Sequence, residues 1–505
     1  MKGGGSVGID TTVFILFFLA GLMLYYAVPE RFRPPVLTAE SLLFAASYDL
    51  RCVLYLLGTA GLIWWAGLFL GRQESSGGEA RQLNRKKRRI LQVCLMLLVG
   101  MLVLLKYIGP SVLQGTGKAS ALQIFVPIGI SYYTLQAISY TVDVYWGRIA
   151  PEKRFFRVLL FLSYFPQLLE GPISRYDQLS RQLYHRDHSF QIRNLKFGIQ
   201  LMLWGYFKVF VVSEHIAGHV RAAFYGETPA YGLAAFLGLV LFGIQLYGNF
   251  SGGIDIIRGA SRCFAVSLPE NFNQPFFSRS LGEFWRRWHI TLGTWVKDYI
   301  FYPLSMSRWI SACKRRAKKH ISRKRANRLA IAFADVAAFL AVGIWHGLGG
   351  NYVLWGLYNG VILAFSELMA DSYQRGREAL HIEKESRLWQ SFSLVRTFLI
   401  VTLGWFTDCA ASASGALQIL LNMLQLSETN LEVLQYSTAL SRLLLAAGLL
   451  ALVTVDLLHE KKISIREKVD SWPAALQMLF WIGLIQAVAL LGGGRIYGGF
   501  IYANF

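Results

Sequence analysis

Apolar residues run in blocks of about 20, the length needed to cross the hydrocarbon core of a bilayer, and short polar stretches separate them. The blocks fall at 9–28, 36–48 (short), 52–71, 90–108, 121–146, 195–216, 232–250, 329–347, 351–371, 390–409, 439–457 and 473–493. The pattern predicts an all-α polytopic membrane protein of about 11 to 12 transmembrane helices. The first block has neither a basic leader nor an Ala-x-Ala site, so it is expected to stay as a helix. A shorter block at 155–170 ends in Phe165-Pro166-Gln167 and Gly171-Pro172. Such breakers suit a re-entrant segment or a buried loop, whose freed backbone groups the protein shelters.

The stretch 281–304 has a different rhythm. At 100° per residue Phe284, Trp288, Leu292, Trp295 and Tyr299 fall within an arc of about 80°, with Arg286, Arg287, Lys297 and Asp298 opposite. One amphipathic interfacial helix is expected here. No internal repeat stands out, so residues 1–505 are expected to form a single membrane domain. Its parts are N-terminal spans at 1–120, a core at 121–371 and C-terminal spans at 372–505.

Composition agrees: 54% of the 505 residues are apolar and 16% are charged, against about 25% charged in soluble proteins. The net charge is +21, and its placement decides what it means. If the basic loops 72–89 (seven Lys/Arg) and 306–328 (ten) are cytoplasmic, parity assigns 41 Lys/Arg to inner loops and five to outer ones. Both termini are then extracytoplasmic. The asymmetry also disposes of nucleic-acid binding, and the run from Lys314 to Arg325 is expected to meet anionic headgroups. Five cysteines (Cys52, Cys94, Cys263, Cys313 and Cys409) form no CxxC pair, so neither a disulfide framework nor a zinc site is suggested.

Ionisable groups inside lipid are expensive and are therefore functional candidates. His346, in Gly343-Ile344-Trp345-His346-Gly347, ends an otherwise apolar span. Desolvation favours a neutral imidazole there, the form a general base needs. The alternative is a histidine hydrogen-bonded to a neighbouring helix. His289 lies at the margin of the apolar arc beside Trp285, and periodicity alone favours a structural role for it. A third cluster comprises Gln136 and Asp143, with Gln245, Tyr247, Asn249, Ser251 and Asp255. Asp143 and Asp255 are expected to neutralise Arg148, Arg258, Arg286 or Arg287 as a scaffold. His185 and His188 sit in a polar loop without convincing companions, so no metal site is expected. No Gly-x-Ser-x-Gly elbow, P-loop or HExxH occurs, and the glycines at 492–494 lack the context of a dinucleotide fold.

Several segments together resemble the membrane-bound O-acyltransferases, and within them the bacterial alginate O-acetyltransferase branch. They are Pro127 to Ser131 with Tyr140 to Gly147, Phe165-Pro166-Gln167 with Gly171-Pro172-Ile173, Gly248 to Gly252 with Asp255, Glu283 to Leu304, and Trp345-His346-Gly347 with Leu354-Trp355-Gly356. They occur in the family's order between about residues 125 and 360. The resemblance implies a helical bundle around a central channel, pinched in the middle, where a cytoplasmic acyl donor meets an acceptor hydroxyl. It makes His346 the catalytic histidine and His289 the second of the pair, with Trp345, Trp285, Trp288, Asn249 and Gln136 along the channel. Asn249 departs from an acid common at its position in the family, and Asn359 from a histidine.

The reaction expected is transfer of an acetyl group across the cell membrane to hydroxyls of an extracytoplasmic polysaccharide. No bound cofactor is expected; acetyl-CoA or an acylated carrier serves as co-substrate, and the expected partners are the lipid bilayer and either an extracytoplasmic polysaccharide acceptor or a secreted partner acyltransferase. The rival in the same family is D-alanyl transfer to teichoic acid. Rivals of other classes are a proton-coupled transporter and a membrane partner that docks a periplasmic enzyme.

Overall fold

The computed structural model describes residues 8, 9, 11–72, 78–108, 125–184, 189–435 and 437–491. His185, His188 and the glycines at 492–494 lie outside them. The described chain is helical, with one isolated β-bridge. Among the described residues, six helices are long and apolar enough to cross a membrane: Leu50–Leu70, Arg81–Ile108, Ile192–Tyr225, Gly232–Cys263, Arg323–His346 and Ala439–Glu460. A further pair, Gly350–Leu368 and Ala370–Ala379, meets the same test but bends by 57° at its join. Shorter apolar helices include Thr12–Ala27, Ala413–Leu424 and Ala474–Leu491. The chain is a multi-pass membrane protein.

The residues fall into two compact units. Among the described residues, the first holds those from 8 to 203 and 253–269, the second 204–252 and those from 270 to 491. In the first, the helix Ile130–Tyr145 is buried along almost its whole length. Two of its polar side chains fold back on the helix: Thr141 donates to the Ala137 carbonyl at 2.8 Å and Ser139 to the Gln136 carbonyl at 2.8 Å. That local pairing lets hydroxyls survive away from water. The helix starts at Gly129, where φ is +72° and a Cβ would stand 2.1 Å from the Leu168 carbonyl oxygen, so glycine is required.

Residues 155–170 form two short helices, Phe155–Ser163 and Phe165–Leu168. Their join is fixed by Tyr164, whose hydroxyl lies 2.9 Å from Ser261 Oγ, and by the Phe165 amide donating to Ser41 Oγ at 3.0 Å. Phe165 packs among Phe17, Phe44 and Phe264, with ring centroids 5.7 to 5.8 Å away. Asp143 pairs with Arg148 at 3.3 Å and Asp255 with Arg258 at 3.7 Å, two of the pairings expected from sequence.

In the second unit the helices Arg323–His346 and Gly350–Leu368 form a tight hairpin. Glycine permits the approach. A Cβ at Gly356 would stand 2.7 Å from the Phe339 carbonyl oxygen, and one at Gly343 would stand 2.3 Å from that of Tyr352. Small residues serve this purpose in membrane helices because dispersion, not water exclusion, drives their packing. Gly356→Val should therefore force the hairpin apart, costing on the order of 1–3 kcal/mol. A lower melting temperature in detergent would show it.

The single helix expected over 281–304 is corrected. The chain forms Leu281–Arg287, breaks, resumes as Ile290–Val296, and ends in a π-turn at Lys297–Phe301 and a final turn at Tyr302–Ser305. Pairing with an upstream strand-like segment makes the break. The Asn273 amide donates to the Arg287 carbonyl at 2.9 Å, the Ile290 amide donates to the Asn271 carbonyl at 3.0 Å, and Phe272 bridges Trp288. His289 sits at the break in the left-handed region, with φ +46°.

Candidate active site

The hairpin and the broken helix bring the two predicted histidines to one tryptophan. His346 is the last residue of its helix, 9% exposed. Its ring lies 4.9 Å from that of Trp345, 5.5 Å from Trp355 and 6.4 Å from Tyr352, the last nearly parallel. Gly347 makes the Tyr352 contact possible, since a Cβ there would stand 2.3 Å from the tyrosine ring. The Trp345 ring is also 6.5 Å from His289.

His289, placed by sequence at the edge of the apolar arc, is buried at 4% exposure. Phe250 meets its ring edge-on at 4.9 Å. Its Nδ1 lies 3.2 Å from Asn271 Oδ1, while Nε2 is buried and, among the described residues, has no hydrogen-bond partner. Burial pushes the imidazole down to about 3, so it is uncharged at neutral pH. Strain of this kind, a non-glycine residue at positive φ, persists where surrounding structure over-determines it.

Trp285 and Trp288 flank the break. The Trp285 indole donates to Asn359 Oδ1 at 3.2 Å, and Asn359 Nδ2 donates to the Trp355 carbonyl at 3.0 Å. That explains an asparagine at 359: its amide serves an indole donor and a backbone acceptor at once. Trp288 stacks on Phe284 at 5.5 Å and meets Phe272 and Trp405 at 5.1 and 5.4 Å. Asn249 is buried in the part of the helix Gly232–Cys263 that belongs to the second unit. Gln136 is buried in the first unit.

Arg287 binds Glu283 at 2.7 Å and Glu460 at 2.6 Å, and of these two the sequence reading did not name Glu460. Arg286 is exposed. Arg287→Ala should cost about 1 kcal/mol or somewhat more, since the ion pair is only partly shielded from solvent. Arg286→Ala should leave thermal unfolding nearly unchanged.

Two further groups were not singled out from sequence. Asn271 is fully buried beneath His289. Asp408 accepts hydrogen bonds from Thr407 and from Trp355, whose ring touches His346. The turn carrying Asp408 is tied by Asn351, which donates to the carbonyls of Thr407 at 3.3 Å and Ala410 at 3.0 Å. The same turn lines a cavity of about 350 Å³ with Tyr225, Tyr231, Ser412 and Asn422. Among the described residues, no group of three or more His, Cys, Asp or Glu side chains could hold a metal ion.

Such an arrangement can move a proton: two buried imidazoles in an aromatic enclosure, with one nitrogen bare. Comparison with known proteins agrees. Residues 152–314 match the membrane-bound O-acyltransferase family. The chain is 31% identical over 405 residues to a Pseudomonas aeruginosa protein named "Probable alginate O-acetylase AlgI", covering 78% of this chain and 71% of that one. The chain belongs to the membrane-bound O-acyltransferase family. It is an O-acyltransferase. Other relatives in the family include the peptidoglycan O-acetyltransferase of Helicobacter pylori, 26% identical over 84% of this chain and 80% of its own. The teichoic acid D-alanyltransferase of Bacillus subtilis is 25% identical over 55% of this chain and 67% of its own.

Proposed function

We propose that this O-acyltransferase carries an acetyl group from a cytoplasmic thioester, acetyl-CoA or an acylated carrier, to hydroxyls of an extracytoplasmic cell-surface polysaccharide. The observation that carries the reading is the pair of buried imidazoles on Trp345, in a chain whose relatives over most of its length are named as O-acetylating enzymes. The D-alanyl relative matches a smaller part, which favours acetyl over aminoacyl transfer. The charge asymmetry of the loops supports termini on the outer side, with donor and acceptor approaching from opposite faces.

In the proposed step His346 accepts the proton of the acceptor hydroxyl as its oxygen attacks the acyl carbonyl. The carbon–sulfur bond breaks, and the proton passes from His346 to the departing thiolate. A base beside the acceptor and a dry passage around the carbonyl are what this chemistry needs. Trp345, Trp285 and Trp288 wall the passage. A secreted acyltransferase is the alternative recipient of the acyl group on the outer face.

Mass analysis of surface glycans from cells with and without the protein tests the assignment. Acetyl esters that depend on the protein are expected. D-alanyl esters in their place would transfer the chain to the teichoic route, and no change in either ester would remove the reading.

A further inference from the structure

Asn271 Oδ1 accepts from the Thr291 backbone amide at 3.0 Å and from the Thr291 hydroxyl at 2.9 Å. A backbone N–H can only donate, so the side-chain atom facing it is the amide oxygen and not the NH₂ group. That same oxygen lies 3.2 Å from His289 Nδ1. An oxygen of this kind cannot donate, so the contact is a hydrogen bond only when Nδ1 carries the proton. A neutral imidazole has one N–H, which leaves Nε2 with its lone pair bare. Nε2 is buried and has no partner among the described residues, and Phe250 fixes the ring plane edge-on.

We infer that Asn271 is a positioning residue that locks His289 in its Nδ1–H tautomer, so that Nε2 presents a lone pair to a hydroxyl of the reacting system. The inference rests on the reading that His289 takes part in transfer. It adds what that reading leaves open: toward the reacting system His289 accepts a hydrogen bond at Nε2 and does not give one. The lock is built from backbone as well as side chain. Thr291 holds the Asn271 amide, and the Ile290 amide donates to the Asn271 carbonyl at 3.0 Å, so the asparagine cannot swing away from the imidazole without undoing the break at His289. A wrong imidazole tautomer can be as damaging as a lost base, by up to about 10⁴-fold in a serine protease triad.

The full-length protein, labelled with ¹⁵N at histidine and held in lipid nanodiscs, reports the tautomer by nitrogen NMR. His289→Gln identifies the resonances that belong to His289. They are expected to show the Nδ1–H form. Asn271→Asp keeps an acceptor oxygen in place and is expected to retain that form. Asn271→Leu keeps the volume but removes the acceptor, so the signal should shift toward the Nε2–H form, and ester-linked acetate on the cell surface should fall by roughly tenfold or more. An Nε2–H signal in the unsubstituted protein would overturn the inference whether or not the leucine variant folds. So would an unchanged Nδ1–H signal in Asn271→Leu. Full acetylation in His289→Gln cells is a separate failure: it would remove His289 from the reaction, and it leaves the tautomer reading to be judged by the spectra.

Discussion

Replacing His346 with alanine should lower acyl transfer by about 10²- to 10⁴-fold, the usual contribution of a positioned general base, while the protein remains folded in the membrane. The imidazole is enclosed by Trp345, Trp355 and Tyr352, but the helix that carries it is held by its glycine-mediated packing on Gly350–Leu368. Alanine therefore removes a base and opens a small void near the end of a helix whose main contacts lie elsewhere. His346→Phe sharpens the test, because it keeps an aromatic ring among the three neighbours and takes away both ring nitrogens, the N–H and the lone pair. Size-exclusion behaviour and thermal unfolding should match the unsubstituted protein in both variants, and both should be inactive. Activity in the phenylalanine variant would mean that the ring matters for packing and not for proton transfer.

His289→Ala is expected to have the second largest effect, a loss on the order of 10² in transfer. Asn271 Oδ1 keeps its two bonds from Thr291 in that variant, so the break between Leu281–Arg287 and Ile290–Val296 should persist. What disappears is the imidazole between Phe250 and Trp345. If the two histidines act as a unit, the double variant His289→Ala/His346→Ala should be little worse than His346→Ala alone, since groups that cooperate in one step are strongly non-additive. Transfer measured in membranes from cells expressing each variant at equal levels would show it. A double variant whose losses multiply would assign the histidines to independent steps.

Much of the membrane plan could be read along the chain, because blocks of apolar residues need no partner to be recognised. The Trp345-His346 pair was visible for the same reason: an ionisable residue closing an apolar block is costly and stands out. Asp143 with Arg148 and Asp255 with Arg258 were legible because the partners are three to five residues apart. The break at His289 was not. No glycine or proline marks it, the helical phase of the apolar residues runs straight through it, and its cause is a segment at 271–273 that pairs with 287–290 only in the fold. The same distance in sequence hid Asn271 beneath His289, Glu460 beside Arg287 and Asp408 behind Trp355. Each is a polar residue with an unremarkable neighbourhood in the chain, and each acquires its role from a partner that periodicity cannot supply.

The most direct test follows a labelled acetyl group across a sealed membrane. Vesicles are loaded inside with acetyl-CoA carrying ¹⁴C in the acetyl group, with the protein's cytoplasmic face inward and a polyuronate supplied outside. Label should appear as base-labile ester on the outer polymer with the unsubstituted protein and be absent with His346→Ala. Equal labelling by both proteins would contradict the account.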